Sequence, residues 1–392
     1  MNREAMLESK FDLESVLKQV RKSAPHVDAS SEFPSENLQA LRSSGLCGLM
    51  VPESYGGPGG SVSDLAMVAE KLGAACLSTA LIWGMHCQQV DLVVHYGSEA
   101  LKRDVLPRVA NGEVYIASVT TEAKTGASLM SADAALGHEG DRLSFQRASP
   151  VVTGGAQADG FLMTLRAGAE ASAKDVRMVY ADRDEVTVAP QGGWNSLGMR
   201  GTASAGLSLE GSVDPSRILA PGREFREIAM ENVIPTGHIT WASIWLGAAR
   251  GAFRALIAWM RRPRKGGGPD VTSDHLRWQL ARVRTELAVV DALLRDAVEE
   301  YETARREGVE RMCSVPNRIR LNTLKLVASE RTFAAVDQMI EIGGMGIGYN
   351  EDSAVPLARA FRDLRSASLT QSNNRLWSDT GSLVLLDRQV EL

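Results

Sequence analysis

From Leu276 to Tyr301 the apolar residues Leu276, Leu280, Val283, Leu287, Val290, Leu294 and Tyr301 recur by threes, fours and one seven. A stripe with this heptad-like period predicts a long helix whose one face is buried in a bundle. Arg261-Arg262-Pro263-Arg264-Lys265-Gly266-Gly267-Gly268-Pro269 must interrupt two such helices, because Pro and consecutive Gly do not continue one. The helical period holds from about residue 225 to the end. It also governs the first part of the chain, up to about residue 112. There Phe33, Leu38 and Leu41 have near-helical spacing and Leu65 to Leu72 continues the pattern, broken by a Gly- and Pro-dense loop over Val51–Gly60.

Between these blocks the texture is different. Val151-Val152-Thr153, Phe161–Leu165, Val176–Tyr180 and Leu207-Ser208-Leu209 are short β-rich runs separated by Gly, Asp and Pro. They predict a small sheet or barrel. The expected class is α+β: an N-terminal helical domain over 1–112, a middle β domain over 113–222 and a C-terminal helical region over 223–392. A chain of 392 residues is long enough for two or three such units.

Composition narrows the partners. The net charge of -5 gives no electrostatic reason to expect nucleic acid or an anionic membrane. No run approaches the roughly 18 apolar residues of a membrane span, and Met1-Asn2-Arg3-Glu4 carries no apolar core of a signal peptide. Cys47, Cys76, Cys87 and Cys313 form no CxxC pair, which argues against structural zinc and disulfides and suits a reducing cytoplasm. No metal is expected.

Several local runs, in order, resemble the acyl-CoA dehydrogenase superfamily over nearly the whole chain. Pro52-Glu53-Ser54-Tyr55-Gly56-Gly57 resembles its early "P-x-x-Y-G-G" loop. Thr121-Glu122-Ala123-Lys124-Thr125-Gly126 resembles its flavin-side "T-E-P-G-x-G" turn. Val152-Thr153-Gly154 through Ala158-Asp159 resembles "I-T-N-G-x-x-A-D", and Gly198-Met199-Arg200-Gly201-Thr202 resembles "G-x-R-G-T/S". Gly343-Gly344-Met345-Gly346, Pro356 and Arg362-Asp363 complete the set. The resemblance implies a middle β domain, a C-terminal four-helix bundle and FAD at a subunit interface, hence a homodimer or homotetramer. It places Thr120, Thr121, Thr153, Gly343, Gly344, Gly346, Asn373 and Arg262 toward the cofactor. Arg264 lies near the same family arginine. A flavin ring needs short hydrogen-bond donors, which threonines supply, and close backbone approach, which glycines allow.

Three departures bear on function. Gln371 stands where dehydrogenases of the family commonly place the glutamate that removes the α-proton of an acyl thioester, and an amide cannot take that proton at neutral pH. The family's "Asp-x-x-Arg" helix segment reads Pro235-Thr236-Gly237-His238, so that His238 falls on the arginine and Gly237 on a position where some members carry their base. Lys124 replaces the usual residue of the flavin-side turn and, with Trp241, is a candidate substrate contact. His238 is the first catalytic candidate, as an imidazole acts as acid or base near neutrality. His86 is the second, because Ser78-Thr79-Ala80-Leu81 leading to Met85-His86 resembles the branch that includes flavin-dependent monooxygenases. Three functions follow from the resemblance. One is an oxygenase working through a C4a-(hydro)peroxyflavin on an acyl thioester or small aromatic. Another is an acyl-CoA or carrier-bound acyl dehydrogenase with His238 as base. The third is an inert flavin-binding subunit. A flavin reductase or electron-transfer protein is the expected partner.

Overall fold

The structure, a computed structural model, describes residues 3–124, 129–262 and 270–388. Helices α1 (Arg3–Phe11), α2 (Leu13–Ser30), α3 (Ser35–Ser43), α4 (Val62–Ala75), α5 (Leu77–Tyr96) and α6 (Glu99–Ala110) come first. Helix α4 starts where Ser61 and Asp64 form a reciprocal capping box. Helix α5 is buried on nearly every face from Leu77 to Val93, as expected of a helix at the centre of a packed layer. Phe33 packs on the core but lies outside α3.

Seven strands follow: β1 (Ile116–Val119), β2 (Leu136–Glu139), β3 (Arg142–Ser149), β4 (Gly160–Arg166), β5 (Val176–Asp182), β6 (Val186–Gln191) and β7 (Gly206–Val213). They form two sheets, β1-β4-β5, with β1 and β4 parallel, and an antiparallel β2-β3-β7-β6. The apolar runs at 161–165, 176–180 and 207–209 lie in β4, β5 and β7. Val151-Val152-Thr153 is not a strand. Gly154 has φ +60° and turns the chain, and Val152 N–H donates to Ala205 O across a loop contact. High β-propensity yields there to turn chemistry.

The chain then returns to helices. They are α7 (Phe225–Ile228), a π-helical turn (Ala229–Val233), α8 (Ile234–Met260), α9 (Asp274–Glu307), α10 (Val309–Met312), α11 (Val315–Gly344), a second π-helical turn (Met345–Tyr349), α12 (Leu357–Leu364) and α13 (Asn373–Val384). The heptad-like stripe is the inner face of α9: Leu276, Val283, Leu287, Val290, Leu294 and Tyr301 are buried and Leu280 is half-buried. Helix α8 is the common element, packed on α4, α5, α9 and α11. Its approach to α4 is backbone on backbone. A Cβ on Gly247 would sit 2.0 Å from Glu70 O, and one on Gly73 would sit 2.3 Å from Ile244 O. The two helical blocks are thereby fused, and α8 carries His238 into their shared interior. Among the described residues, no helix is long and apolar enough to cross a membrane.

Candidate functional site

His238 is wholly buried on α8. Its Nδ1 lies 3.1 Å from Leu321 O on α11, and its Nε2 lies 2.9 Å from Gln371 Oε1, an atom that exchanges places with the amide nitrogen on a flip of the side chain. A carbonyl only accepts, so Nδ1 carries the proton and donates to Leu321 O. Burial, reinforced by the Lys325 charge, pushes the imidazole down to about 4, although the accepting carbonyl of Leu321 opposes the shift. His238 is therefore neutral at physiological pH, and Nε2 presents a lone pair. The Gln371 amide must then turn its NH₂ toward that lone pair. Gln371 reaches solvent and adopts φ +48°, a left-handed conformation unusual outside glycine. Its main-chain carbonyl accepts from Lys325 Nζ at 3.0 Å.

Trp241 stands one helical turn after His238, with ring centroids 6.1 Å apart. Its Nε1–H is buried without a partner. Gly237 beside it leaves room, since a Cβ there would meet Trp241 no closer than 3.7 Å. A buried unpaired donor next to an open position can take an acceptor from a ligand or from an ordered water. The carbonyls of a flavin ring are acceptors of this kind, so the residues present fit that group.

The turn that follows β1 is held by a buried ion pair that the sequence motif does not announce. Arg147 of β3 is wholly buried and pairs with Glu122 through Nη1. Its Nη2 donates to Thr121 O at 3.2 Å, and Glu122 accepts from Asp133 N–H and Ala134 N–H. Burial lowers the guanidinium to about 10, which leaves it charged at neutral pH. Thr121 Oγ1 donates to Val151 O at 2.9 Å, with Ser149 Oγ 2.8 Å away. Thr153 Oγ1 lies 3.1 Å from Ser204 Oγ. Both hydroxyls are thus oriented from within, while Thr120 is half-buried at the end of β1. Lys124 is 79% exposed and pairs with Asp133 at 2.9 Å, an open ion pair at the rim. Thr125 and Gly126 of the turn lie outside the described residues.

The expected roles of His86 and Asn373 are corrected, and Gly343, Gly344, Gly346 and Arg262 lie at or near the surface. His86 has no ring nitrogen to offer a ligand: Ile116 N–H donates to its Nδ1 and its Nε2–H donates to Cys47 O, both at 3.0 Å. It is wholly buried, burial holds it down to about 4, and it braces α5 against β1. Asn373 is likewise engaged within the chain. Its Oδ1 accepts from Lys325 Nζ at 2.6 Å, and its Nδ2 donates to Ser329 Oγ and Glu330 Oε1. Gly343 packs against Gly348, whereas Gly344 and Gly346 are exposed with open space around them. Gly344 has φ +59° and ψ -165°, a conformation confined to glycine, at the step from α11 into the π-helical turn. Arg262 is exposed just past the end of α8, and Arg264 lies outside the described residues.

Arg362 and Asp363 serve as a brace. Arg362 forks onto Asp28 of α2, and buried Asp363 accepts from Met199 N–H at 2.6 Å. Lys325, Leu321 and the Glu122–Arg147 pair were not found from sequence. Lys325 had a signal, a lysine inside Leu324-Lys325-Leu326-Val327-Ala328. Among the described residues no group of three or more His, Cys, Asp or Glu is arranged to hold a metal ion.

Comparison with known proteins agrees with this architecture. Residues 13–113 match the family model of the acyl-CoA dehydrogenase N-terminal domain, and residues 226–371 match that of the C-terminal domain. The mitochondrial isobutyryl-CoA dehydrogenase of Bos taurus is 25% identical over 366 residues, covering 91% of this chain and 83% of its own. The short-chain-specific acyl-CoA dehydrogenase of Clostridium acetobutylicum is 24% identical over 379 residues, 96% of each chain. Among solved structures, butyryl-CoA dehydrogenase from Megasphaera elsdenii superposes with a TM-score of 0.84 at 19% identity, over 97% of both chains. Dibenzothiophene monooxygenase TdsC from Paenibacillus sp. A11-2 does so with a TM-score of 0.83 at 18% identity, over 97% of this chain and 98% of its own. The two domain models span more than half of the sequence in the order the motifs predict, and the chain belongs to the acyl-CoA dehydrogenase family of flavin-dependent oxidoreductases.

Proposed function

We propose that this chain is a flavin-dependent oxygenase acting on a substrate that requires no carboxylate base, such as a small neutral aromatic. The observation that carries the reading is the pairing of Gln371 with a neutral, buried His238 at the position of the family's base. The fold hosts both dehydrogenases and a monooxygenase, so the decision falls on these side chains. His238 is a poor substitute base. Its lowering from 6.5 to about 4 removes roughly 3 kcal/mol of proton affinity, and the Gln371 amide already occupies its lone pair. The Gln371 amide, which reaches solvent, serves instead as the hydrogen-bonding group that orients an oxygen-bearing substrate without repelling negative charge, and His238 behind it fixes its orientation.

When bound, the flavin supplies the two-electron redox chemistry. In this reading the Thr120–Thr121 turn, Thr153 and the Gly343–Gly346 crossing hold it, with Arg262 reaching the cofactor of a neighbouring copy. FAD is the form the family motifs imply, and electrons come from a separate flavin reductase. Trp241 donates its free N–H to ligand, and Lys124 stands at the entrance.

The test supplies the purified protein with flavin, a reductase, NADH and oxygen-18 gas, and offers neutral aromatic substrates. Label in the product is expected. In parallel, a panel of acyl-CoAs is offered with an artificial electron acceptor. Rapid acceptor reduction by an acyl-CoA, with no labelled product in the first assay, would replace this reading with the dehydrogenase. Flavin binding without either activity would point to the inert subunit.

A further inference from the structure

Lys325 is wholly buried on α11. Its ammonium meets neutral groups: it donates to Gln371 O at 3.0 Å and to Asn373 Oδ1 at 2.6 Å, and it lies 5.8 Å from the centroid of the Trp245 ring. A buried cation without a carboxylate in contact is costly, and an apolar side chain of the same length would pack there without that cost. Its place is explained by what it holds. Gln371 has φ +48°, a left-handed backbone conformation that a non-glycine residue adopts at a cost and that needs an outside tie. Lys325 supplies the tie, because an ammonium only donates and so selects the peptide orientation with its carbonyl inward.

One turn earlier on the same face of α11, Leu321 O takes the Nδ1–H of His238. The two contacts act together. Leu321 O draws the proton to Nδ1, and Lys325 holds the partner amide where its N–H keeps a proton off the other nitrogen, so that both contacts together choose the tautomer. Asn373, the residue two beyond Gln371, is bound by the same ammonium and by Ser329 Oγ, so the chain is clamped on both sides of the turn. We propose that Lys325 is a positioning residue that fixes the Gln371 amide against His238 Nε2 and thereby locks His238 as its Nδ1–H tautomer. The inference rests on the reading of His238 and Gln371 as the working pair of the site.

The test uses the full chain with its flavin bound, labelled with nitrogen-15 histidine. Lys325→Met keeps the length of the side chain and removes the donor; Lys325→Gln keeps a shorter donor. The His238 resonances of wild type are expected to show one tautomer, protonated at Nδ1. In Lys325→Met a mixture of tautomers is expected. The kcat for labelled product should fall roughly tenfold or more with KM changed less than about twofold, and Lys325→Gln should recover part of the loss. A role in packing alone would be met by Met and would leave the tautomer untouched. A Met variant with wild-type kcat and a single Nδ1–H tautomer overturns the proposal. So does a wild-type spectrum showing His238 protonated at Nε2, which decides the matter even if the Met variant does not fold. The tautomer reports on Lys325 whatever reaction is catalysed. Failure to find oxygenase activity therefore sinks the functional reading separately.

Discussion

Replacing Gln371 with Glu restores the family's carboxylate, yet the structure predicts a result different from simple rescue. The new group can only accept, and it faces His238 Nε2 at about the 2.9 Å separation of the present pair. The Nδ1–H is already committed to Leu321 O. The economical solution is a second proton on the imidazole, giving an ion pair. Two unit charges about 4 Å apart attract by roughly 4 kcal/mol at an effective dielectric of about 20. Gln371 reaches solvent, so screening reduces this to roughly 2–4 kcal/mol. That offsets most of the roughly 3 kcal/mol by which burial and Lys325 hold His238 down to about 4. The imidazole should therefore titrate between roughly 5.5 and 7 in the variant.

In wild type His238 has a folded pKa of about 4, below its unfolded value of 6.5. The unfolded chain binds the extra proton, so stability is present above pH 6.5 and is lost as pH falls toward 4. At pH 5 this loss amounts to about 2 kcal/mol. In Gln371→Glu the folded and unfolded values nearly coincide and the loss disappears. Urea unfolding at pH 7.5 and pH 5 should show the variant gaining about 2 kcal/mol on wild type at the lower pH. Any gain in acyl-CoA dehydrogenation, which a free general base would raise by ~10²–10⁴-fold, should appear only as pH rises above the new imidazole value. Parallel stability curves for the two proteins, or full dehydrogenase gain at pH 6, would refute the argued coupling of these side chains.

Arg147→Met leaves Glu122 buried without its cation and should lower unfolding stability by about 3–5 kcal/mol in urea titration, with faster loss of flavin because the Thr121 turn is released. Thr153→Val keeps the shape but removes the hydroxyl that faces Ser204, and should weaken flavin affinity by ~1 kcal/mol in an equilibrium titration. His86→Phe strands Ile116 N–H and Cys47 O and should cost about 2–5 kcal/mol in unfolding stability while leaving oxygen coupling unchanged. His238→Phe should instead divert reducing equivalents to hydrogen peroxide, measured as peroxide released per NADH consumed.

The fold was legible where one periodicity dominated. The stripe of α9 could be read because a helix with a single buried face writes its period into the sequence. The runs in β4, β5 and β7 could be read because they are short, rich in β-branched, aromatic and aliphatic residues, and bounded by turn residues. Strand β2, Leu-Gly-His-Glu, is short and polar, and β6 is largely exposed and carries Pro190, so neither stands out from the loops around it. Val151-Val152-Thr153 misled for the opposite reason: residues suited to a strand are held in a loop by Gly154 and by contacts more than fifty positions away in sequence.

The site was legible as positions but not as a network. Motif register brought out His238 and Gln371, which stand 133 residues apart and meet at 2.9 Å. It also brought out His86, and there the residue type misled. An imidazole with both nitrogens on main-chain groups is indistinguishable in sequence from one that faces a ligand. Lys325 was passed over because a lone lysine on a helix usually carries its charge out to solvent along a flexible stem. Here the stem ends against Trp245, and the charge stays inside, on the carbonyl of Gln371 and the amide of Asn373. That placement gives the site a definite electrostatic character. A fixed cation lies behind a neutral amide–imidazole pair, and burial lowers its own pKa to about 8 against the opposing charge of Glu330. A protonated His238 would add a second positive charge beside it, which is one of the forces keeping the imidazole neutral. Lys325 thus disfavours the charged form of His238 and holds the residue His238 bonds to, so the amide at position 371 and the lysine at position 325 belong to one arrangement. Exchanging either alone should disturb the other. The combined Lys325→Met and Gln371→Glu variant should therefore depart from the sum of the single effects by more than about 0.5 kcal/mol in unfolding stability. Strict additivity would show that the two positions act independently.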